Sequence, residues 1–317
     1  MNMIFMRPSS YRGKVFISLL LLLSSLNLSA LTPGDELEVV IVQFEMSAEI
    51  VQSEEAYTSA MQKAMDAAMK DGDADLVIFP EYIGVFASLI PWFNYLEADR
   101  PFEEVWFSIQ QTNPEIRNIK ELFMREAAPT DRYLNTIWGN LAKEHDVYIL
   151  SGSRFNNEGN HLLNQAVVYS PSGKAVYRQN KFFLTDFEVD IVGLSSGDIR
   201  KTGGFEVKNH HINLTICRDT FLKEWESIHD NGELWIDIKA NGVEYTEDQV
   251  ALFSRALPAR LVKTDVPYGI TTCLTGDFLN LFWEGESSII YNDKGKVRYL
   301  AVSSKDNSFE IMRETFP

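Results

Sequence analysis

The segment "LTICRDTF", residues 214–221, ends an apolar run on a cysteine and follows it with alternating charges. A cysteine sulfur attacks as the thiolate, and an unperturbed thiol, with a pKa of about 8.5, is mostly protonated at neutral pH. Attack therefore needs a base or a nearby positive charge. None of the five histidines sits in a setting that recommends it. His210 and His211 precede Cys217 on the same run, too near along one strand to reach it. The base, if there is one, is then a carboxylate. Glu81 follows "LVIF" and Pro80, where a chain leaving a buried sheet points side chains into a crevice. Lys181, in "YRQNKFFLTDFE", is a charge placed just before two phenylalanines, and Glu188 closes the same stretch.

Taken singly, each residue has a plainer reading: Glu81 as a surface carboxylate, Lys181 as a lysine laying its stem on apolar surface, Cys217 as a small core side chain. Asp219 reads as an exposed carboxylate at a helix start, and Arg218 as a surface cation or as a reader of a substrate carboxylate. Cys273 lies in its own apolar run and reads as core. A Cys217–Cys273 bridge would need adjacent strands with suitable side-chain directions and is not expected. No His or Cys pair stands at metal-ligand spacing, which argues against zinc.

The elements that must position these groups follow from hydrophobic periodicity. "LEVVIVQF" (37–44) and "DLVIFPEY" (75–82) read as short buried strands, the second stopped by Pro80. Between them Ser53 offers an N-cap, Glu54 and Glu55 suit the first turn, and Tyr57, Met61, Ala64, Met65 and Ala68 follow at helical spacing. Residues 86–130 carry Trp92, Phe93, Tyr95, Trp106 and Phe107 among charges and prolines, and read as a helical insertion, a lid or a dimer contact, with the aromatics packing inside it. Tyr133, Ile137 and Leu141 mark a further helix, and "VYILSGS" (147–153) a strand.

"NQAVVYSPSGKAVYR" (164–178) is a hairpin around a Ser-Pro-Ser-Gly turn. "HHINLTIC", "ELWIDIKAN", "YGITTCLTG" and the hairpin "SSIIYNDKGKV" supply the remaining strands. Thr246 and Gln249 form a capping box that opens a helix through Leu257, kinked by Pro258. Strands, helices and hairpins interleave without repeats or linkers, so the pattern is one α/β domain with a mixed sheet.

The N-terminus carries Arg7, Arg12 and Lys14 before an apolar run from Val15 to Leu23, extended to Ala30. That is the pattern of a signal peptide over residues 1–30, followed by a domain over 31–317, and it implies an exported, periplasmic or secreted protein. The alternative for this segment is an uncleaved membrane anchor, but the apolar run is short for a bilayer span, and no membrane association is expected once it is removed. The chain has 29 basic and 45 acidic residues, a net charge of −16, which excludes nucleic acid and anionic membrane surfaces as partners.

Order and context together resemble the carbon–nitrogen hydrolase (nitrilase) superfamily, whose members carry Glu, Lys and Cys in that order, each at a strand end. The family's "FPE" is matched by Phe79-Pro80-Glu81. Its hairpin before the Lys is matched by Asn164 to Gly173, then Tyr177-Arg178 and Lys181 with two extra residues between. Its "IC-x-D" is matched by Ile216-Cys217-Arg218-Asp219, with Phe221 one residue early. "RALPAR" (255–260) and "GESSIIYNDKG" are similar to its later helix and hairpin, so the resemblance spans about residues 37–300. The chain departs from it in the long Glu81–Lys181 interval, in Arg218 where many members have an aromatic residue, and in Leu222-Lys223-Glu224 where Pro-Glu is usual.

The resemblance implies a four-layer αββα sandwich, a homodimer, no cofactor, and hydrolysis of a small-molecule amide through a thioester. By the same resemblance Glu81 is the base, Lys181 the cation at the thiolate and the oxyanion, and Glu188 a support for Lys181 that also helps place substrate or water. Arg218 contributes its backbone N–H to the oxyanion. Two rival classes share the pocket: an inactive relative that binds an amide or amino acid, and an acyltransferase. A structural envelope protein is a third.

Overall fold

The computed structural model describes residues 36–96 and 100–317; the segment 1–30 read as a signal, and the start of the domain at 31, lie outside them. Thirteen strands follow in chain order: β1 (Leu37–Met46), β2 (Leu76–Phe79), β3 (Tyr148–Glu158), β4 (His161–Tyr169), β5 (Ala175–Asn180), β6 (Phe205–Val207), β7 (His210–Ile216), β8 (Leu234–Lys239), β9 (Tyr268–Phe278), β10 (Leu281–Trp283), β11 (Ser288–Asn292), β12 (Val297–Val302) and β13 (Glu310–Phe316). The helices are α1 (Glu54–Ala68), α2 (Ile83–Ala87), α3 (Phe102–Thr112), α4 (Ile119–Glu144), α5 (Glu224–Ile228), α6 (Glu247–Phe253) and α7 (Leu257–Leu261).

One sheet runs β5-β4-β3-β2-β1-β13 and the other β6-β7-β8-β9-β11-β12. They are stitched where Phe44–Met46 of β1 pair in parallel with Leu274–Gly276 of β9. Alternation along the strands sorts side chains into layers. Val39, Ile41, Leu76 and Ile78 meet Leu214, Ile216, Ile236 and Ile238 between the sheets. The opposite parity, Val40, Val42, Val77 and Phe79, faces the stripe Tyr57, Met61 and Met65 of α1 and Trp138 of α4. On the far side Trp235 and Ile290 pack with Trp225, Leu257 and Leu261 around α5 and α7. This is the four-layer αββα arrangement, and each buried Met or Leu in it contributes roughly 1.5–3 kcal/mol.

Ser53 caps α1 as its type suggests, its Oγ accepting from Ala56 N at 3.1 Å. The aromatic-rich insertion is helical, but it has no separate end at residue 130: α4 runs unbroken from Ile119 to Glu144 with Pro129 inside it. Nor is it a lid. Trp92, Val105, Ile109 and Phe123 are buried in the core outside the first sheet. The expected capping box fails as well. Thr246 precedes α6 without a side-chain cap, and Gln249 Oε1 is buried without a partner. The helix stops at Phe253, and Pro258 sits in the first turn of the separate α7, where a missing N–H costs nothing.

Candidate active site

Glu81, Lys181 and Cys217 each sit just past a strand, at the same edge of the sheets. Parallel strands β1, β2 and β3 share a direction, and two antiparallel steps return β5 to it. Glu81 follows β2, Lys181 follows β5, and Cys217 follows β7, whose parallel partner β8 ends at Lys239.

At Glu81 the proline ends strand pairing, and Tyr82 turns the chain with φ = +70°. Gly152, at φ = +66° in β3, makes room for this turn: a Cβ there would lie 1.9 Å from Pro80 O. Ser153 Oγ then accepts from Tyr82 N at 3.0 Å. The Glu81 carboxyl is 1 % exposed. Its Oε1 accepts from Lys181 Nζ and from Asn164 Nδ2, each at 2.9 Å, and its Oε2 from Ala240 N at 3.0 Å.

Lys181 is equally buried and bridges two carboxylates, reaching Glu81 and Glu188 at 2.9 Å. Its backbone is fixed too, with Lys181 N donating to Asn164 O and Gly197 N to Lys181 O, both at 2.8 Å. Glu188 lies in a π-helical turn, Phe187–Val192. Tyr82 Oη (2.8 Å), Asn164 Nδ2 (3.1 Å), and Thr185 N and Oγ1 (2.8 and 3.0 Å) all donate to it.

Cys217 opens a 3-10 turn at φ = +54°, a conformation L side chains rarely adopt. One ion pair on β8 clamps it. Asp237 Oδ1 accepts from Cys217 N at 3.1 Å, and Lys239 Nζ donates to Cys217 O at 3.3 Å. Asp237 and Lys239 are themselves joined at 2.6 Å, 0 % and 2 % exposed, with Thr220 Oγ1 within reach of both. Lys239 also lies over the rings of Phe221 and Phe253. Asp219 is buried, not exposed as its position past the cysteine suggested. Its Oδ1 accepts from Phe182 N and Phe183 N at 3.2 and 2.6 Å, which ties the Cys217 turn to the segment carrying Lys181.

Glu81, Lys181 and Cys217 line one cavity of about 380 Å³, walled by Phe187, Val243, Phe282 and Trp283. Glu188 is not among its lining residues. Its contact towards the cavity is through Lys181, which it holds at 2.9 Å. Arg218 projects into a neighbouring cavity, with its guanidinium 4.5 Å over the Phe183 ring. Trp92, Phe93 and Tyr95 line neither cavity. Cys273 is fully buried, and both thiols are free.

Burial, then the Glu81 carboxylate, push the Cys217 thiol up to about 12; Lys181 and Lys239 oppose this and do not overcome it. Burial outweighs the two lysines in setting the thiol, although Lys181 itself acts in the direction the sequence suggested, towards the thiolate. Burial raises Glu81 as well, against the pull of Lys181. Glu188 is depressed: burial pushes it up, but Lys181 and the donors around it prevail. For Lys181 burial favours the neutral amine, yet Glu81, Cys217 and Glu188 outweigh it and keep the ammonium. The arrangement is a fixed cation between two carboxylates beside a protonated thiol. Such a set can move one proton from sulfur to a carboxylate and stabilise one new negative charge.

A profile of the family described as carbon-nitrogen hydrolase matches residues 39–245. The chain belongs to the carbon-nitrogen hydrolase family. Solved structures of similar fold include a Glu-to-Gln mutant of the amidase from Nesterenkonia sp. AN1, bearing acrylamide added at its active-site cysteine. It is 14 % identical with a TM-score of 0.64, over 89 % of this chain and 93 % of that one. A carbon-nitrogen hydrolase from Helicobacter pylori G27 is 15 % identical, TM-score 0.63, over 88 % of both chains. Nit3 of Saccharomyces cerevisiae, from branch 10 of the nitrilase superfamily, is 17 % identical, TM-score 0.61, over 88 % and 89 %. No curated protein sequence matches the chain.

Within this family fold, sequence reasoning missed Asn164, Tyr82, Thr220, Asp237 and Lys239 as members of the site. One signal was there to read. In "LWIDIK" the residues of one parity are all aliphatic, while Asp237 and Lys239 share the other with Trp235. Opposite charges two apart on one face of a fully buried strand must pair with each other or with a functional group.

Proposed function

We propose that this protein hydrolyses a non-peptide carbon–nitrogen bond of a small amide, through a thioester on Cys217. The observation that carries the proposal is the Lys181 ammonium held 2.9 Å from the Glu81 carboxylate in the cavity that Cys217 lines. In the first step Glu81 takes the thiol proton as sulfur attacks the amide carbon. The carbonyl oxygen becomes an oxyanion facing Lys181 and the Arg218 backbone N–H. One preorganised donor of this kind is worth about 3–4 kcal/mol of barrier.

Collapse of the tetrahedral intermediate breaks the C–N bond, and Glu81 passes its proton to the departing nitrogen. Water then attacks the thioester with Glu81 again as base, and the C–S bond breaks to restore the thiol. Glu188 acts through Lys181, as a positioning residue. The mutant amidase of similar fold, with acrylamide at its active-site cysteine, supports a reactive cysteine and an amide ligand in this fold. Export is part of the same proposal, with residues 1–30 as the signal; N-terminal sequencing of protein recovered outside the cytoplasm should begin near residue 31.

Intact-mass spectrometry during turnover of a panel of amides should reveal an acyl adduct on Cys217, and Cys217→Ala should be folded, inactive and unlabelled. An adduct mapped to Cys273, or release of amine by Cys217→Ala, would overturn the proposal.

A further inference from the structure

The cleft at Cys217 has two arms. The second cavity, of about 510 Å³, is lined by Phe183, Arg218, Phe221, Lys239 and Phe253 among others, and Thr185, Cys217, Ala240 and Gly242 line both. Each arm alone falls in the range of a small-molecule site, roughly 300–1,000 Å³. A primary amide, which loses only ammonia, would leave one arm without a function. Four large apolar side chains left exposed, Phe187, Val243, Leu252 and Phe282, ring the two arms, as at the mouth of a ligand site.

The arms differ in charge. In the first, Glu81 faces Lys181 and the other walls are mainly apolar. The second is lined by two cations and no carboxylate, in a chain whose net charge is −16. Lys239 is neutralised by Asp237, which leaves Arg218. Its Nη1 donates to Leu184 O at 3.1 Å, and its plane lies on Phe183. Among the described residues the one carboxylate paired with it, Asp186 at 3.4 Å, is 94 % exposed, and such a pair is worth little. The guanidinium keeps donors for a ligand. The halves of the substrate can be assigned because Glu81, which hands a proton to the departing nitrogen, lines only the first arm.

We propose that the substrate is an N-substituted amide with an apolar amine half in the first arm and an acyl half bearing a negative group held by Arg218 in the second. This rests on Cys217 being the nucleophile. Four probes test it: N-benzylsuccinamate, its mirror N-phenylacetyl-β-alanine, neutral N-benzylbutyramide, and butyramide. N-benzylsuccinamate should exceed N-benzylbutyramide in kcat/KM by at least about tenfold, the value of one charge-assisted contact. Arg218→Gln should collapse that ratio towards one. Asp186→Asn, which frees the guanidinium, should widen it by about two- to threefold.

A faster mirror probe, a butyramide rate equal to that of N-benzylsuccinamate, or a ratio indifferent to Arg218→Gln would overturn the proposal while leaving the hydrolase reading intact. Absence of amine release and of any Cys217 adduct with all four probes would overturn both.

Discussion

The Asp237–Lys239 pair offers the sharpest perturbation, because its two halves should push Cys217 in opposite directions. Both side chains are buried and joined at 2.6 Å, one on the N–H of Cys217 and the other on its C=O. Asp237→Asn leaves an ammonium buried against the Phe221 and Phe253 rings, a loss of partner that typically costs about 3–5 kcal/mol of stability. It also leaves Lys239 uncompensated beside the sulfur, which favours the thiolate. Lys239→Met does the reverse and leaves Asp237 to disfavour it.

The other charged or titratable groups around the thiol are Glu81, Lys181, Glu188, Tyr82, Arg218, Asp219 and Cys273; of these Cys273 also feels both members of the pair, and the two substitutions push it in the same opposite directions. A nearby charge moves such a group by on the order of one pH unit. One unit changes the thiolate population about tenfold, and the compensating change in nucleophilicity reduces the rate effect to about threefold. Iodoacetamide labelling of Cys217 at pH 8, read by mass spectrometry with thermal melts alongside, should therefore be about threefold faster in Asp237→Asn and slower by a similar factor in Lys239→Met. Both variants shifting in the same direction, in step with lost stability, would mean the pair is scaffolding alone.

Four further outcomes follow from the same geometry. Glu81→Gln keeps an acceptor for Ala240 N but no base, and should lower kcat by about 10²–10⁴-fold while Lys181 stays paired to Glu188; wild-type activity in this variant would move the base elsewhere. Because burial raises Glu81, the acid limb of the pH–kcat/KM profile should lie above the ordinary carboxylate value of 4.5, and a limb at or below it would refute the assignment. Gly152→Ala drives a methyl into Pro80 O and should both destabilise the fold and displace Glu81, seen as a lower Tm with kcat reduced more than KM is raised. Burial pushes Asp219 up to about 7, so its contribution is intact below the unfolded value and is lost as pH rises through 7. Relative to Asp219→Asn, the wild type should thus lose roughly 4 kcal/mol between pH 4 and pH 8, and parallel stability curves would refute this.

Much of the fold was legible because it rests on period. The parity of β1 and β2 separates two cores, and the α1 stripe from Tyr57 to Ala68 is buried in the structure as its spacing demands. The strand-end residues Glu81, Lys181 and Cys217 were legible because "FPE", a hairpin and "IC-x-D" each mark where a strand stops. What stayed hidden depends on long-range pairing. Nothing local in "CRDTF" tells that Asp219 receives two N–H groups from Phe182 and Phe183, or that its neighbour Arg218 lies on a phenylalanine ring. Thr246 and Gln249 fit a capping box by type, but α6 buries none of its residues and ends after two turns, so tertiary packing does not enforce the cap. The stretch 86–130 is helical in large part, but its polar residues and Pro129 gave no sign that α4 continues through residue 130 to Glu144.

The resting protonation of Cys217 carries a consequence for how such a nucleophile survives. A thiol held near 12 presents almost no thiolate to oxidants or to other disulfides, whose reactions follow thiolate population. The second thiol, Cys273, is raised further by burial and is out of reach of solvent. In the reaction proposed above, the approach of substrate draws the proton off Cys217. When an amide carbon approaches, the proton can pass to Glu81 as the S–C bond forms, and the charge appears at the carbonyl oxygen beside Lys181 and not on sulfur. In the proposed reaction the two buried pairs on either side of the cysteine would divide this work: Glu81–Lys181 would receive the proton and the oxyanion, while Asp237–Lys239 holds a backbone turned to φ = +54°. A thiol that must lose its proton during attack has to be placed for sulfur, carbon and carboxylate at once.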